Sequence, residues 1–88
     1  MKDLIILGSG GHARSVVSLA NSMKKWNILA IVDFNFTGVI EYLSDVPVES
    51  FDEVINKINP LKTDVFIAIG NIMERFNVFK KIEKYKFS

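Results

Sequence analysis

The sequence predicts an α/β domain of three layers, in which a short parallel sheet is covered by helices on both faces. Leu4 to Leu7, Ile28 to Val32 and Val65 to Ile69 are continuous apolar runs of four or five residues rich in β-branched side chains, as expected of strands buried on both sides. Helical periodicity lies between and after these runs. A glycine-rich turn directly follows the first of them.

The first helix is expected from about Gly11 to Lys24. Ala13, Val16, Val17, Ala20 and Met23 fall on one face, and Arg14, Ser18, Asn21 and Lys25 on the other, which is the amphipathic spacing of a surface helix. Lys24 and Lys25 are expected to close its last turn, where cations suit the helix dipole, with Trp26 and Asn27 turning the chain into the second strand. Strand, helix and strand then form a βαβ unit. Beyond Asp33 the pattern loosens through Asn35, Gly38, Asp45 and Pro47, with Val46 to Val48 as a short edge strand. Ser50 with Glu53 reads as a capping box opening a helix whose apolar face is Phe51, Val54, Ile55 and Ile58, ended by Asn59-Pro60. After the third strand, Asn71 with Glu74 opens a last helix in which Ile72, Phe76, Phe79, Ile82 and Phe87 recur at roughly helical spacing. Phe76 and Phe79 are expected in the core; with Phe87 they need a sheet to cover them, and because the sequence supplies three clear strands, further sequence is expected to belong with this chain.

With 49% hydrophobic and 24% charged residues, the chain belongs with globular rather than disordered sequences. Its 88 residues suit one domain, spanning residues 1–88, with a thin stability margin, because a chain this small buries only about two thirds of its unfolded surface. A net charge of +1 and a pI near 8.0 supply no strong field for nucleic acid or anionic membrane. The charge is uneven, however. Asn27 to Asn56 holds six acidic residues and no Lys or Arg, and seven of the eleven cations follow it, a pattern read as a solvated acidic face. The absence of cysteine excludes disulfides and thiolate metal sites. One histidine is too few for a protein-only metal cage, so no metal site is expected. No apolar run approaches the length of a membrane span, and no secretory leader pattern opens the chain, so a cytoplasmic location is expected.

The residues that could carry chemistry converge on one sheet edge. Gly8-Ser9-Gly10-Gly11-His12-Ala13 fits G-x-G-x-x-G/A between a strand and a helix. There the first glycine permits a sharp turn, the second permits backbone approach to a diphosphate, and Ala13 allows close helix packing. The alternative is a turn that uses glycine for backbone freedom alone. Asp33 ends the second strand, where a carboxylate can accept hydrogen bonds from ribose hydroxyls or cap the local turn. His12 is the only histidine and has no evident triad partner; donation to a phosphate suits it better than proton abstraction. Gly70 and Asn71 follow the third strand at the same edge, with Asn71 also suited to capping the last helix. Arg14 and Arg75 are further candidates, each either reaching the ligand or facing solvent.

The run Ile5-Ile6-Leu7-Gly8-Ser9-Gly10-Gly11-His12-Ala13-Arg14, the strand end Ile31-Val32-Asp33, and Ile67-Ala68-Ile69-Gly70-Asn71 with Arg75 together resemble the N-terminal domain of the NeuD/PglD sugar acetyltransferases. The resemblance implies a Rossmann-like domain that binds a UDP- or CMP-linked sugar or a related sugar. Gly10, Gly11 and His12 would contact the phosphate region of the substrate and Asp33 its nucleoside; Gly8, Ser9, Gly70 and Asn71 complete the expected substrate-binding residues. It further implies a following left-handed β-helix that binds acetyl-CoA, carries the catalytic histidine and forms a homotrimer. The present chain would end before that part and have no catalytic residue or bound cofactor of its own. The setting implied is sugar O- or N-acetylation in bacterial surface-glycan or sialic acid biosynthesis. Where the family often has a second acidic residue after Asp33 and a second polar residue after Asn71, this chain has Phe34 and Ile72. From the residues alone, two other readings stay open: the NAD(P)-binding half of a small oxidoreductase, and a non-catalytic nucleotide-binding or interaction module.

Overall fold

A computed structural model describes residues 1–39 and 41–87; Ser88, the expected limit of the domain, lies outside them. The chain runs β1 (Lys2–Leu7), α1 (Gly11–Met23), β2 (Trp26–Val32), β3 (Glu41–Leu43), β4 (Val46–Glu49), α2 (Phe51–Lys57), β5 (Thr63–Ile67) and α3 (Ile72–Ile82), with short 3-10 turns at Pro60–Lys62 and Glu83–Tyr85. The strands form one sheet in the order β3-β4-β2-β1-β5. Strands β4, β2, β1 and β5 are parallel, whereas β3 is antiparallel to β4. The α/β class and the largely parallel sheet match the sequence reading.

Alternation of side chains across the strands builds two apolar layers. Leu4, Ile6 and Ile31 point to the face that receives Ala13, Val17 and Ala20 of α1. Ile5, Leu7, Ala30 and Val32 point to the opposite face, against Phe51 and Val54 of α2 and Ile82 of α3. Each large aliphatic side chain buried in this way contributes about 1.5–3 kcal/mol. In the register between β1 and β2, Leu4 pairs with Ile28 but Ile5 pairs with Ala30, so Leu29 is the extra residue of a bulge. The bulge sends Leu29 and Ala30 to the same face, while burial on both faces accounts for the unbroken apolar run.

Four expectations need correction. First, α1 stops at Met23, and Lys24 is its C-cap in the left-handed conformation (φ 55°), so no cation stands in its last turn. Trp26 and Asn27 begin β2 rather than turning into it. The Trp26 indole N–H donates to Asp64 Oδ2 at 2.8 Å, and Lys2 Nζ lies 2.9 Å from Asp64 Oδ1, which ties the starts of three neighbouring strands. Second, Val46–Glu49 is not the edge. Ser44 and Asp45, with φ of 50° and 67°, form a two-residue turn whose twist suits a hairpin, and this places β3 outside β4. Third, the strand expected over Val65 to Ile69 is Thr63–Ile67. The Ala68 amide still reaches Leu7 O at 2.8 Å, but Ile69 and Gly70 leave for α3. Fourth, Phe76 and Phe79 are not core: they are 56% and 53% exposed, and Ile72 is 72% exposed. The buried side of α3 is carried by Ile82 and the half-buried Val78.

The capping signals behave as their chemistry dictates. Ser50 Oγ accepts the Glu53 amide at 3.2 Å, and Asn71 Oδ1 accepts the Glu74 amide at 3.0 Å. Among the described residues, no helix is long and apolar enough to cross a membrane.

Candidate functional site

The carboxyl ends of β1, β2 and β5 open into one cleft of about 530 Å³. Its floor is the turn after β1. The Gly8 amide donates to Val32 O at 2.8 Å, which locks the turn to β2. Gly8 has φ +111°, and a Cβ there would lie 2.8 Å from both Ala68 O and Ile69 Cγ1. Only glycine meets both the conformation and the close approach. Gly10 and Gly11, by contrast, face open space.

The head of α1 forms one wall. Gly10 is its N-cap and supplies no side-chain hydrogen bond, and no acidic residue stands in the first turn. Helices α2 and α3 satisfy their own first turns through Ser50 and Asn71. The first turn of α1 therefore has no side-chain cap for its amides, which stand at the positive end of the helix dipole. His12 extends from this turn across the cleft; a Cβ on Gly70 would lie 2.8 Å from its Nε2 and 3.2 Å from its Cδ2. The absence of a side chain at Gly70 is what admits the imidazole.

Opposite stands Asp33, half-buried at the end of β2. Its amide donates to Glu49 O at 2.9 Å, and its Oδ1 accepts the Asn35 amide at 2.9 Å. One oxygen thus fixes the loop. Among the described residues no such bond engages Oδ2, a carboxylate oxygen with acceptor capacity to spare.

Of the residues singled out from sequence, Gly8, Ser9, Gly10, Gly11, His12, Asp33 and Gly70 all line the cleft. Asn71, Arg14 and Arg75 do not; Asn71 serves as the cap of α3, and both arginines are exposed. The cleft also takes in Phe34, Asn35, Glu74, Asn77 and Val78, which the sequence reading missed. Glu74, Asn77 and Val78 share one face of α3 at i, i+3 and i+4, so their common orientation followed from the Asn71 cap once the start of that helix was fixed. Phe34 stacks on Phe51 with centroids 5.7 Å apart, and Lys81 Nζ lies 5.0 Å from its ring centroid.

A parallel βαβ core with an uncapped glycine-led helix at the strand ends defines an α/β domain of the Rossmann-like class. More narrowly, the chain belongs to the PglD N-terminal domain family, whose model matches residues 3–82. The acetyltransferase domain of PglB from Neisseria gonorrhoeae FA1090 is similar in structure, with a TM-score of 0.79 at 23% identity over 99% of this chain. The same domain in complex with acetyl coenzyme A gives 0.75 at 23% identity over 98% of this chain. At that identity the likeness establishes the fold. The chain spans 42% and 40% of the lengths of those two structures. No match was found among curated proteins.

Proposed function

We propose that this chain is the substrate-binding domain of a sugar O- or N-acetyltransferase and that its cleft takes a UDP- or CMP-linked sugar. The observation that carries the reading is the contrast among helix starts: of the three α-helices among the described residues, α1 alone has a first turn with no side-chain cap, and that turn faces Asp33 across the cleft. In this reading the Gly10, Gly11 and His12 amides and the His12 ring hold phosphate oxygens, and Asp33 Oδ2 accepts from a ribose hydroxyl. Gly70 keeps the imidazole in reach, and Asn71 holds the wall that carries Glu74. The acyl donor, acetyl-CoA, and the base for acyl transfer are assigned to sequence outside residues 1–88, so this chain binds sugar nucleotide without transferring acetyl. Trimer formation is assigned to that same outside sequence. The implied setting is bacterial glycan or sialic acid biosynthesis in the cytoplasm.

Titration of the labelled chain with UDP-N-acetylglucosamine, a CMP-sugar and NAD, read by amide chemical shifts, tests this. Shifts at residues 8–14 and Asp33 with a sugar nucleotide, larger than with NAD, are expected. Gly70→Ala, which displaces His12, should weaken binding by about tenfold. Larger effects with NAD favour the dehydrogenase-like reading, and silence at residues 8–14 with every compound overturns nucleotide binding.

A further inference from the structure

Phe34 is fixed from several directions although it stands in a loop. The Phe36 amide donates to Asp33 O at 3.1 Å, closing a four-residue turn with Phe34 and Asn35 at its centre, and the Asn35 amide donates to Asp33 Oδ1 at 2.9 Å inside it. A side-chain bond nested in a backbone turn holds the main chain on both sides of Phe34. The ring is held as well. It stacks on Phe51 at 5.7 Å with 26° between the planes, and Phe51 is itself buried and in edge contact with Tyr85.

The side of Phe34 left open is the cleft side. Lys81 Nζ lies 5.0 Å from the Phe34 centroid and 5.3 Å from the Phe51 centroid. With the 5.7 Å between the two rings, these separations make a nearly equilateral triangle, so Lys81 and Phe51 stand on the same side of Phe34. Of the three, Phe34 alone lines the cleft. It is therefore backed by a buried ring and a cation, and it brings to the cleft a planar apolar surface. Among the described residues no other phenylalanine, tyrosine or tryptophan lines that space.

We propose that the cleft side of Phe34 is the seat of a nucleobase, which stacks on the ring. The inference rests on the nucleotide reading above and adds to it the part that recognises the base. The base and the neighbouring hydroxyl of a ribose are carried by adjacent carbons, so a ribose that donates to Asp33 brings its base within reach of the next residue. The phosphate-bearing arm leaves from the other side of the ring oxygen, toward the head of α1. Phe34 attracts the base through its face and not through charge, in a cleft whose charged lining residues, Asp33 and Glu74, are both acidic. Because turn and ring are fixed beforehand, little freedom is lost when the base settles.

Uridine 5′-monophosphate and ribose 5-phosphate differ by the base alone, and titrating the labelled 88-residue chain with each tests the seat. The monophosphate should bind about tenfold tighter, with nuclear Overhauser contacts between the ring protons of the base and the ring of Phe34. Phe34→Leu should abolish that difference and leave ribose 5-phosphate binding unchanged, whereas Phe34→Tyr, which keeps an aromatic face, should retain it. The wild-type comparison decides the matter even where Phe34→Leu does not fold. Equal affinities of the wild-type chain for the two compounds overturn the base seat, as does a difference that survives in folded Phe34→Leu. In either case shifts at residues 8–14 leave the nucleotide reading standing, whereas silence there with both compounds and with the sugar nucleotides takes both readings down together.

Discussion

Strands β1 and β5 lie side by side and carry the same kind of apolar run, yet their surroundings differ completely. Ile5, Ile6 and Leu7 of β1 are 0% exposed, whereas Phe66 of β5 is 50% exposed. The same division extends to the helices. Helix α1 buries Ala13, Val17 and Ala20 against the sheet, while α3 buries Ile82 alone and leaves Ile72, Met73, Phe76 and Phe79 largely in solvent. Apolar content therefore does not determine how tightly a segment is held. A strand with neighbours on both sides and helices on both faces has no solvent side to offer, whereas the last strand in a sheet always has one.

Substitutions can sharpen or break this contrast. The largest effect is expected on β1, where Ile6→Ala should cost about 2–5 kcal/mol in urea unfolding, a large share of the total for a domain of this size. Next is Gly8→Ala, at the turn where β1 meets β5, which should cost about 1–3 kcal/mol because alanine must adopt a positive φ and its Cβ meets Ala68 O and Ile69 Cγ1; the fall in thermal midpoint measures it. Ser50→Ala, which removes the cap of the helix covering Leu7 and Val32, should cost about 1 kcal/mol, read from the denaturation midpoint. The smallest effect belongs to α3. Phe76→Ser should change stability by less than about 0.5 kcal/mol, and a loss comparable to that of Ile6→Ala would break the contrast.

The glycine turn, the βαβ unit and both capping signals were legible because each is a local rule acting on adjacent residues. The hairpin was not. Its Ser44-Asp45 turn lacks the Asn-Gly or Asp-Gly pair that usually marks positive φ at both positions, so β4 was read as an edge. On α3, the spacing of Ile72, Phe76 and Phe79 identified a helix, but periodicity reports that a face is apolar and not that something covers it; the covered side is the one through Val78 and Ile82. In the cleft, the glycines and Asp33 were found by their fixed offsets from strand ends. Glu74 and Asn77 were missed because their role depends on how α3 is turned over β5, which no local spacing encodes.

The cleft has a further property that follows from its lining. Asp33 and Glu74 stand on it, and among the described residues no lysine or arginine does. Under the proposed function, an anion at the head of α1 would be held by fixed peptide dipoles beside two carboxylates. Counterions loosen complexes built on lysine and arginine, but here sodium would gather around the carboxylates and shield them. Tightness should persist, or even increase, as sodium chloride is added.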